Sequence, residues 1–253
     1  MNLLRNEIPL SLKPHIIRGQ VVAEQVSQPP KSWPKRVLRT VIPDFLLKQR
    51  SIVLRLGPSA GRTYAALRLR DVLGMRMENR RLAPPTARSF LFVCFGNIMR
   101  SAMAEFFMHK ALAESGAMLA HKVLVMSAGV HATAGREAHE WAQQAAAELG
   151  VSLSQHRAKP VTREMIEMVD CVLAMDFQNK AELLALYPDA EDKILMLSAY
   201  AECDWRYREI PDPYLGNLET TRYCARQLQV CTHNLIAATI LSQGTVDQVS
   251  LER

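Results

Sequence analysis

From Phe90 onward, short apolar runs alternate with longer stretches of helical periodicity, and Gly or Pro closes several of these stretches. Phe90–Val93 (FLFV) is wholly apolar, the pattern of a strand buried on both faces. Ser101–Ser115 reads as a helix stopped at Gly116, Lys122–Met126 as a second strand, and Ala138–Leu149 as a helix closed by Gly150. A third strand at Cys171–Met175, a helix at Asp176–Leu186 ended by Pro188, and a fourth strand at Lys193–Leu197 follow. A long helix from Leu218 to about Leu241 ends the series. Strands that alternate with helices pack as a parallel sheet wrapped on both sides. The expected fold is therefore α/β, a four-stranded parallel sheet with helices on both faces. Sites in such sheets lie beyond the carboxyl ends of the strands, next to helix N-termini, which is where Cys94 falls.

The residues before Phe90 have a different character. Residues 1–90 hold 17 Lys/Arg and 5 Asp/Glu, a net +12, whereas residues 91–253 hold 14 and 20, a net −6. This charge step divides the chain into a basic N-terminal extension, residues 1–89, and a domain spanning 90–253. Residues 1–35, with Pro14, Pro29, Pro30 and Pro34, have the composition of an extended or poorly ordered arm. Asp44 then opens FLLKQRSIVLRLG, a helix that should stop at Gly57-Pro58, and Ser59 is placed to cap a second helix reaching Gly74. Arg76–Arg88, with Pro84-Pro85, reads as a linker. The extension is thus mainly helical. No apolar run approaches the roughly 18 residues of a membrane span, and the N-terminus lacks the features of a signal peptide. Five cysteines without C-x-x-C spacing suit neither a disulfide framework nor a metal site, so a reducing cytoplasm is expected and no metal or cofactor is called for.

The stretch LFVCFGNIMRS, Leu91–Ser101, carries chemistry if it forms a turn between strand and helix. The N–H groups of Phe95, Gly96, Asn97, Ile98 and Met99 would converge on one concavity backed by the positive end of the next helix. Gly96 permits the tight path. Arg100 adds a planar fork that can grip two oxygens of a phosphate. The same field favours a thiolate at Cys94, which would be poised to attack phosphorus. The C-x5-R spacing by itself is a weak signal, because a strand-end thiol near an arginine gives the same pattern. Further on, IPDPYLG sets Asp212 between two prolines. A carboxyl there can protonate a leaving oxygen and then activate water, although a plain turn aspartate has the same surroundings.

Taken together, VCFGNIMRS at 93–101 and DPYLG at 212–216 resemble the low-molecular-weight protein tyrosine phosphatases. SAG at 127–129, HRAKPVT at 156–162 and DCVLAMDFQN at 170–179 fall in that family's order and at about its spacing. The resemblance covers residues 90 to about 242. It implies Cys94 as nucleophile, Arg100 as phosphate clamp and Asp212 as general acid, then base. It also implies that Asn97, Ser101, Ser127 and His156 hold the loop by hydrogen bonds, whereas His156 alone would read as a core or exposed histidine. The implied substrate is a phosphotyrosine protein, among bacterial relatives a tyrosine kinase of polysaccharide export.

The departures bear on specificity and regulation. The family often has a cysteine before the arginine, able to bond the nucleophile; here it is Met99. A proline that commonly follows the loop serine is Ala102. In place of a wall tryptophan, VHATAG at 130–135 offers small residues, and Leu215 stands where a second tyrosine could flank Tyr214. A wider, less aromatic cleft is expected. Two other functions use the same scaffold. An arsenate reductase would need relay cysteines, yet the helix after the third strand has none, and Cys171 reads as a core residue. A phosphoprotein-binding adaptor would not need Cys94, Arg100 and Asp212 together. The amphipathic basic helices within residues 36–75 would lie on an anionic inner-membrane surface, or pack on the domain or on a second copy. With few aromatics and no binding motif, no nucleic acid partner is expected.

Overall fold

The computed structural model describes residues 44–75, 81–116, 122–202 and 209–241. The arm at 1–35 and the first residues of the linker, 76–80, lie outside this set. Four strands, β1 (Ser89–Cys94), β2 (Leu124–Gly129), β3 (Cys171–Ala174) and β4 (Ile194–Met196), form one sheet in the order β2-β1-β3-β4. All pairings are parallel. α1 (Asp44–Val72), α2 (Arg100–Glu114), α3 (Glu140–Glu148), α4 (Arg163–Met168), α5 (Phe177–Leu186) and α6 (Leu218–Ile236) cover its faces.

The apolar strands sort their side chains by the period-two rule. Phe90, Phe92, Cys94, Cys171 and Leu173 enter one core with α2, α3 and α6. Leu91, Val93, Val172 and Ala174 enter a second core with α4, α5 and the apolar face of α1. The expected fold is therefore present, with shifted edges. β2 runs to Gly129, three residues beyond its expected end. Its ladder with β1 continues until Cys94 meets Gly129, so SAG is strand rather than loop. α4, not foreseen, is a short helix started by Thr162, whose Oγ1 accepts from Met165 N at 3.3 Å. α5 begins one residue late because Asp176 is its N-cap, accepting from Asn179 N at 2.7 Å.

The two helices foreseen before the linker form one run broken at Gly57, whose φ of 75° is easy only for glycine. The halves fold back on each other. A Cβ on Gly61 would lie 2.6 Å from Val53 O, and Tyr64 Oη donates to Gln49 Oε1. Tyr64 and Leu67 are buried in the second core with Phe177, Ala181 and Leu183, and Arg55 Nη2 donates to Gln178 Oε1 at 3.2 Å. The hairpin thus packs on the sheet's helical layer, while Leu69, Val72 and Leu73 stay exposed. Among the described residues no helix is long and apolar enough to cross a membrane.

Candidate active site

β1 ends at Cys94 and α2 starts at Arg100, so Phe95–Met99 must turn the chain through the space beyond the sheet. No side chain caps the N-terminus of α2, which leaves its first N–H groups aimed at that space. Asn97 sits in the left-handed region with φ of 52°, a conformation asparagine tolerates better than most residues. Its own N–H points to Cys94 Sγ at 3.3 Å.

The Asn97 side chain, fully buried, ties three elements together. Nδ2 donates to Ser101 Oγ at 2.9 Å and to Ser127 Oγ at 2.8 Å, and Oδ1 accepts from Lys159 N at 2.8 Å. His156 Nε2 lies 2.7 Å from Asn97 O. A carbonyl can only accept, so that nitrogen carries the proton. Ser127 Oγ donates to Glu105 Oε2 at 2.6 Å. Ser101 Oγ is 3.0 Å from Cys94 Sγ and 3.2 Å from Ala128 O. Having received from Asn97, it has one proton for either acceptor, and a thiolate is the stronger competitor. Asn97, Ser101, Ser127 and His156 thus form one hydrogen-bonded cluster behind the loop.

Arg100 is 2% exposed. Nη1 donates to Asp176 Oδ2 at 2.6 Å and to Ile210 O at 3.1 Å, and Nη2 to Asp212 Oδ2 at 2.8 Å. Burial opposes its charge, but the Asp176 and Asp212 carboxylates outweigh that and raise its pKa further. The guanidinium is a fixed cation. Asp212 is 44% exposed by side chain, on the rim, and its Oδ1 accepts from Tyr214 N at 3.2 Å.

Cys94, Arg100 and Asp212 line one cavity of about 170 Å³ with Phe95, Gly96, Ile98, Met99 and Tyr214. His131, Thr133 and Arg136 line it as well. The expectation of small residues from VHATAG is corrected there. The Phe95 and His131 rings stand 4.6 Å apart, and His131 is anchored by Nε2 to Glu182 Oε1 at 2.8 Å. The cleft thus keeps ring-bearing walls, with His131 added to Phe95 and Tyr214.

Gly129 was also missed. A Cβ there would lie 2.8 Å from Asn97 N and from Phe95 O, and 2.9 Å from Gly96 C. These are backbone atoms of the loop, which cannot yield without moving the cradle. Gly129→Ala should lower kcat/KM by about 10²-fold, because displacements near 1 Å suffice for that. It should also cost about 1–3 kcal/mol of stability from overpacking. Steady-state kinetics and thermal unfolding check the pair of effects; normal values for both would show that the loop is not seated on this glycine. Asp176 and Glu105 were foreseen only as helix residues. Their second roles, toward Arg100 and Ser127, arise from tertiary contact and leave no local signal.

The other described cysteines are inert. Cys171, Cys224 and Cys231 are buried, and burial pushes each thiol up to about 12. Cys171 pairs in register with Phe90, four residues before Cys94, a separation of about 13 Å along the strand. That is far beyond disulfide reach. Cys203 lies outside the described residues.

A model of the low molecular weight phosphotyrosine protein phosphatase family matches residues 89–244. The low molecular weight protein-tyrosine-phosphatase Etp of Escherichia coli K12 is 36% identical over 126 residues, 50% of this chain and 77% of that protein. The protein-arginine-phosphatase of Bacillus subtilis is 32% identical over 139 residues, 55% of this chain and 88% of that protein. Among solved structures, the protein tyrosine phosphatase of Entamoeba histolytica superposes with a TM-score of 0.55 at 28% identity, covering 62% of this chain and 98% of that one.

Proposed function

We propose a reaction for a chain that belongs to the low-molecular-weight phosphotyrosine protein phosphatase family: hydrolysis of phosphotyrosine and other aryl phosphate monoesters through a cysteinyl-phosphate. The observation that carries the reading is the convergence of Cys94 Sγ, the Arg100 fork and Asp212 on one cavity at the end of β1.

The Cys94 thiolate attacks phosphorus in line, forming S–P as the bond to the aryl oxygen breaks. Loop N–H groups and Arg100 take the charge on the equatorial oxygens. A phosphate dianion competes for the Arg100 edge that holds Asp212, and Asp212, once protonated and released, gives its proton to the departing phenolate. In the second step the Asp212 carboxylate takes a proton from water as the water oxygen displaces sulfur. Phosphate leaves and the thiolate is restored, stabilised by the Ser101 hydroxyl.

Aryl substrates are favoured over phosphoarginine by the walls: Phe95, His131 and Tyr214 present rings, and Ile98 is apolar. The physiological substrate is proposed to be a phosphotyrosine protein, and a tyrosine kinase of polysaccharide export is the first to try. The reaction needs a reduced Cys94, for which the cytoplasm is the proposed setting. An arsenate reductase relay finds no support in Cys171, which is buried and out of reach.

Asp212→Asn tests the assignment. It should lower kcat/KM on phenyl phosphate by about 10²–10³-fold. It should also flatten the limb of the pH profile along which the rate falls as an acid ionises. A variant as fast as the parent, with the same profile, removes Asp212 from the chemistry. Faster turnover of a phosphoarginine than of a phosphotyrosine peptide overturns the aryl reading.

A further inference from the structure

The family match begins at residue 89, yet a side chain from the hairpin before it reaches the loop that carries Asp212. Arg68, in the second half of α1, pairs through Nη2 with Glu209 Oε2, and both side chains are largely buried, at 24% and 18% exposure. The arrangement around Arg68 is built. Its Nε donates to Tyr64 Oη at 3.1 Å, and its guanidinium lies over the Phe177 ring, 5.1 Å from the centroid. Glu209 uses its other oxygen, Oε1, to accept from Phe177 N at 2.6 Å.

Glu209 adjoins the active site along the chain. Ile210 N donates to Met175 O at 2.9 Å, and Ile210 O accepts from Arg100 Nη1 at 3.1 Å. Asp176, which takes the same Nη1, directly precedes the Phe177 that Glu209 holds. Two residues beyond Ile210, Asp212 takes Arg100 Nη2. One carboxylate thus pins the root of the Asp212 loop to the start of α5, beside Asp176 and Ile210 O, the two acceptors of Arg100 Nη1. Burial raises the Glu209 pKa and disfavours its charge, and Arg68 is the first cation opposing that.

We propose that the N-terminal hairpin is a positioning element for the catalytic loop, with Arg68 fixing Glu209 and thereby the placement of Asp212 and Arg100. The inference rests on the phosphatase reading. Without Arg68, Glu209 tends toward its neutral form, its hold on Phe177 N weakens, and the segment from Glu209 to Asp212 gains freedom. The step that suffers is proton delivery to the leaving oxygen, which depends most on Asp212 when that oxygen is most basic.

The test uses the full chain and a series of aryl phosphates from nitrophenyl to phenyl. Arg68→Met keeps the stem over Phe177 and removes the charge. Its kcat/KM should fall about 10-fold on phenyl phosphate but only about 2-fold on nitrophenyl phosphate, because the poor leaving group needs the acid. Arg68→Lys should recover most of the loss, and vanadate affinity should stay within about 2-fold if the loop N–H groups still bind the oxyanion. If Arg68→Met does not fold, Glu209→Gln retains an acceptor for Phe177 N without the ion pair and should show the same dependence on leaving group. With an active parent, a uniform loss across the series, or none, overturns the positioning role and leaves the phosphatase reading intact. A parent that turns over no aryl phosphate overturns the phosphatase reading itself.

Discussion

Cys94→Ser should abolish turnover of phosphotyrosine peptide, a loss of at least about 10⁴-fold, since a serine hydroxyl is a far weaker nucleophile, and a far poorer leaving group from phosphorus, than a thiolate. The substitution is nearly isosteric, and the sulfur's neighbours, Ser101 Oγ at 3.0 Å and Asn97 N at 3.3 Å, can serve an oxygen equally well. The variant should therefore fold normally and still bind phosphate through Arg100 and the loop. Loss of turnover with retained phosphate binding, measured by steady-state kinetics and calorimetric titration, separates a missing nucleophile from a collapsed cradle. Among the described residues no other cysteine is placed to take over: Cys171, Cys224 and Cys231 are buried, and burial pushes their thiols up to about 12. An active Cys94→Ser enzyme would sink the cysteinyl-phosphate mechanism.

Arg100→Lys should lower kcat/KM by about 10²–10³-fold, the usual scale for losing a preorganised donor to transition-state charge. An ammonium cannot reproduce the fork that spans Asp176, Ile210 O and Asp212 at once. Arg100→Met should be worse in two respects. It removes the charge from the oxyanion site, and it leaves Asp176 at 19% exposure facing Asp212 with no cation between them. Breaking a buried pair from one side costs about 3–5 kcal/mol; the partial exposure of both carboxylates puts the expected cost at the lower end. Thermal unfolding should show the Met variant destabilised and the Lys variant nearly unchanged. Equal melting of all three proteins, with equal activity, would mean that Arg100 is a packing residue only.

The local motifs were readable because their chemistry is local. A strand buried on both faces must be apolar throughout, and FLFV is. The C-x5-R spacing gained meaning from its place between an apolar strand and a helix, where a tight turn brings Cys94 and Arg100 to one concavity. Asp212 needed more, since P-D-P is common in turns, and its tie to Arg100 crosses 112 residues. The strand edges slipped where composition and ladder disagree. SAG is made of small residues with little strand preference, yet it extends β2 because β1 offers partners up to Cys94.

The sequence by itself determined the alternation of strands and helices, the break at Gly57 and the thiol–arginine loop, because each depends on residues close along the chain. Only the tertiary structure decided that Asp176 serves Arg100 as well as α5 and that Gly129 is the floor under the loop. It alone brought His131 to the cleft wall and the basic hairpin to Glu209. Those roles depend on atoms far apart in the chain meeting within 3–5 Å. A cap, a small residue, a histidine and a surface arginine look ordinary until packing gives each a second partner.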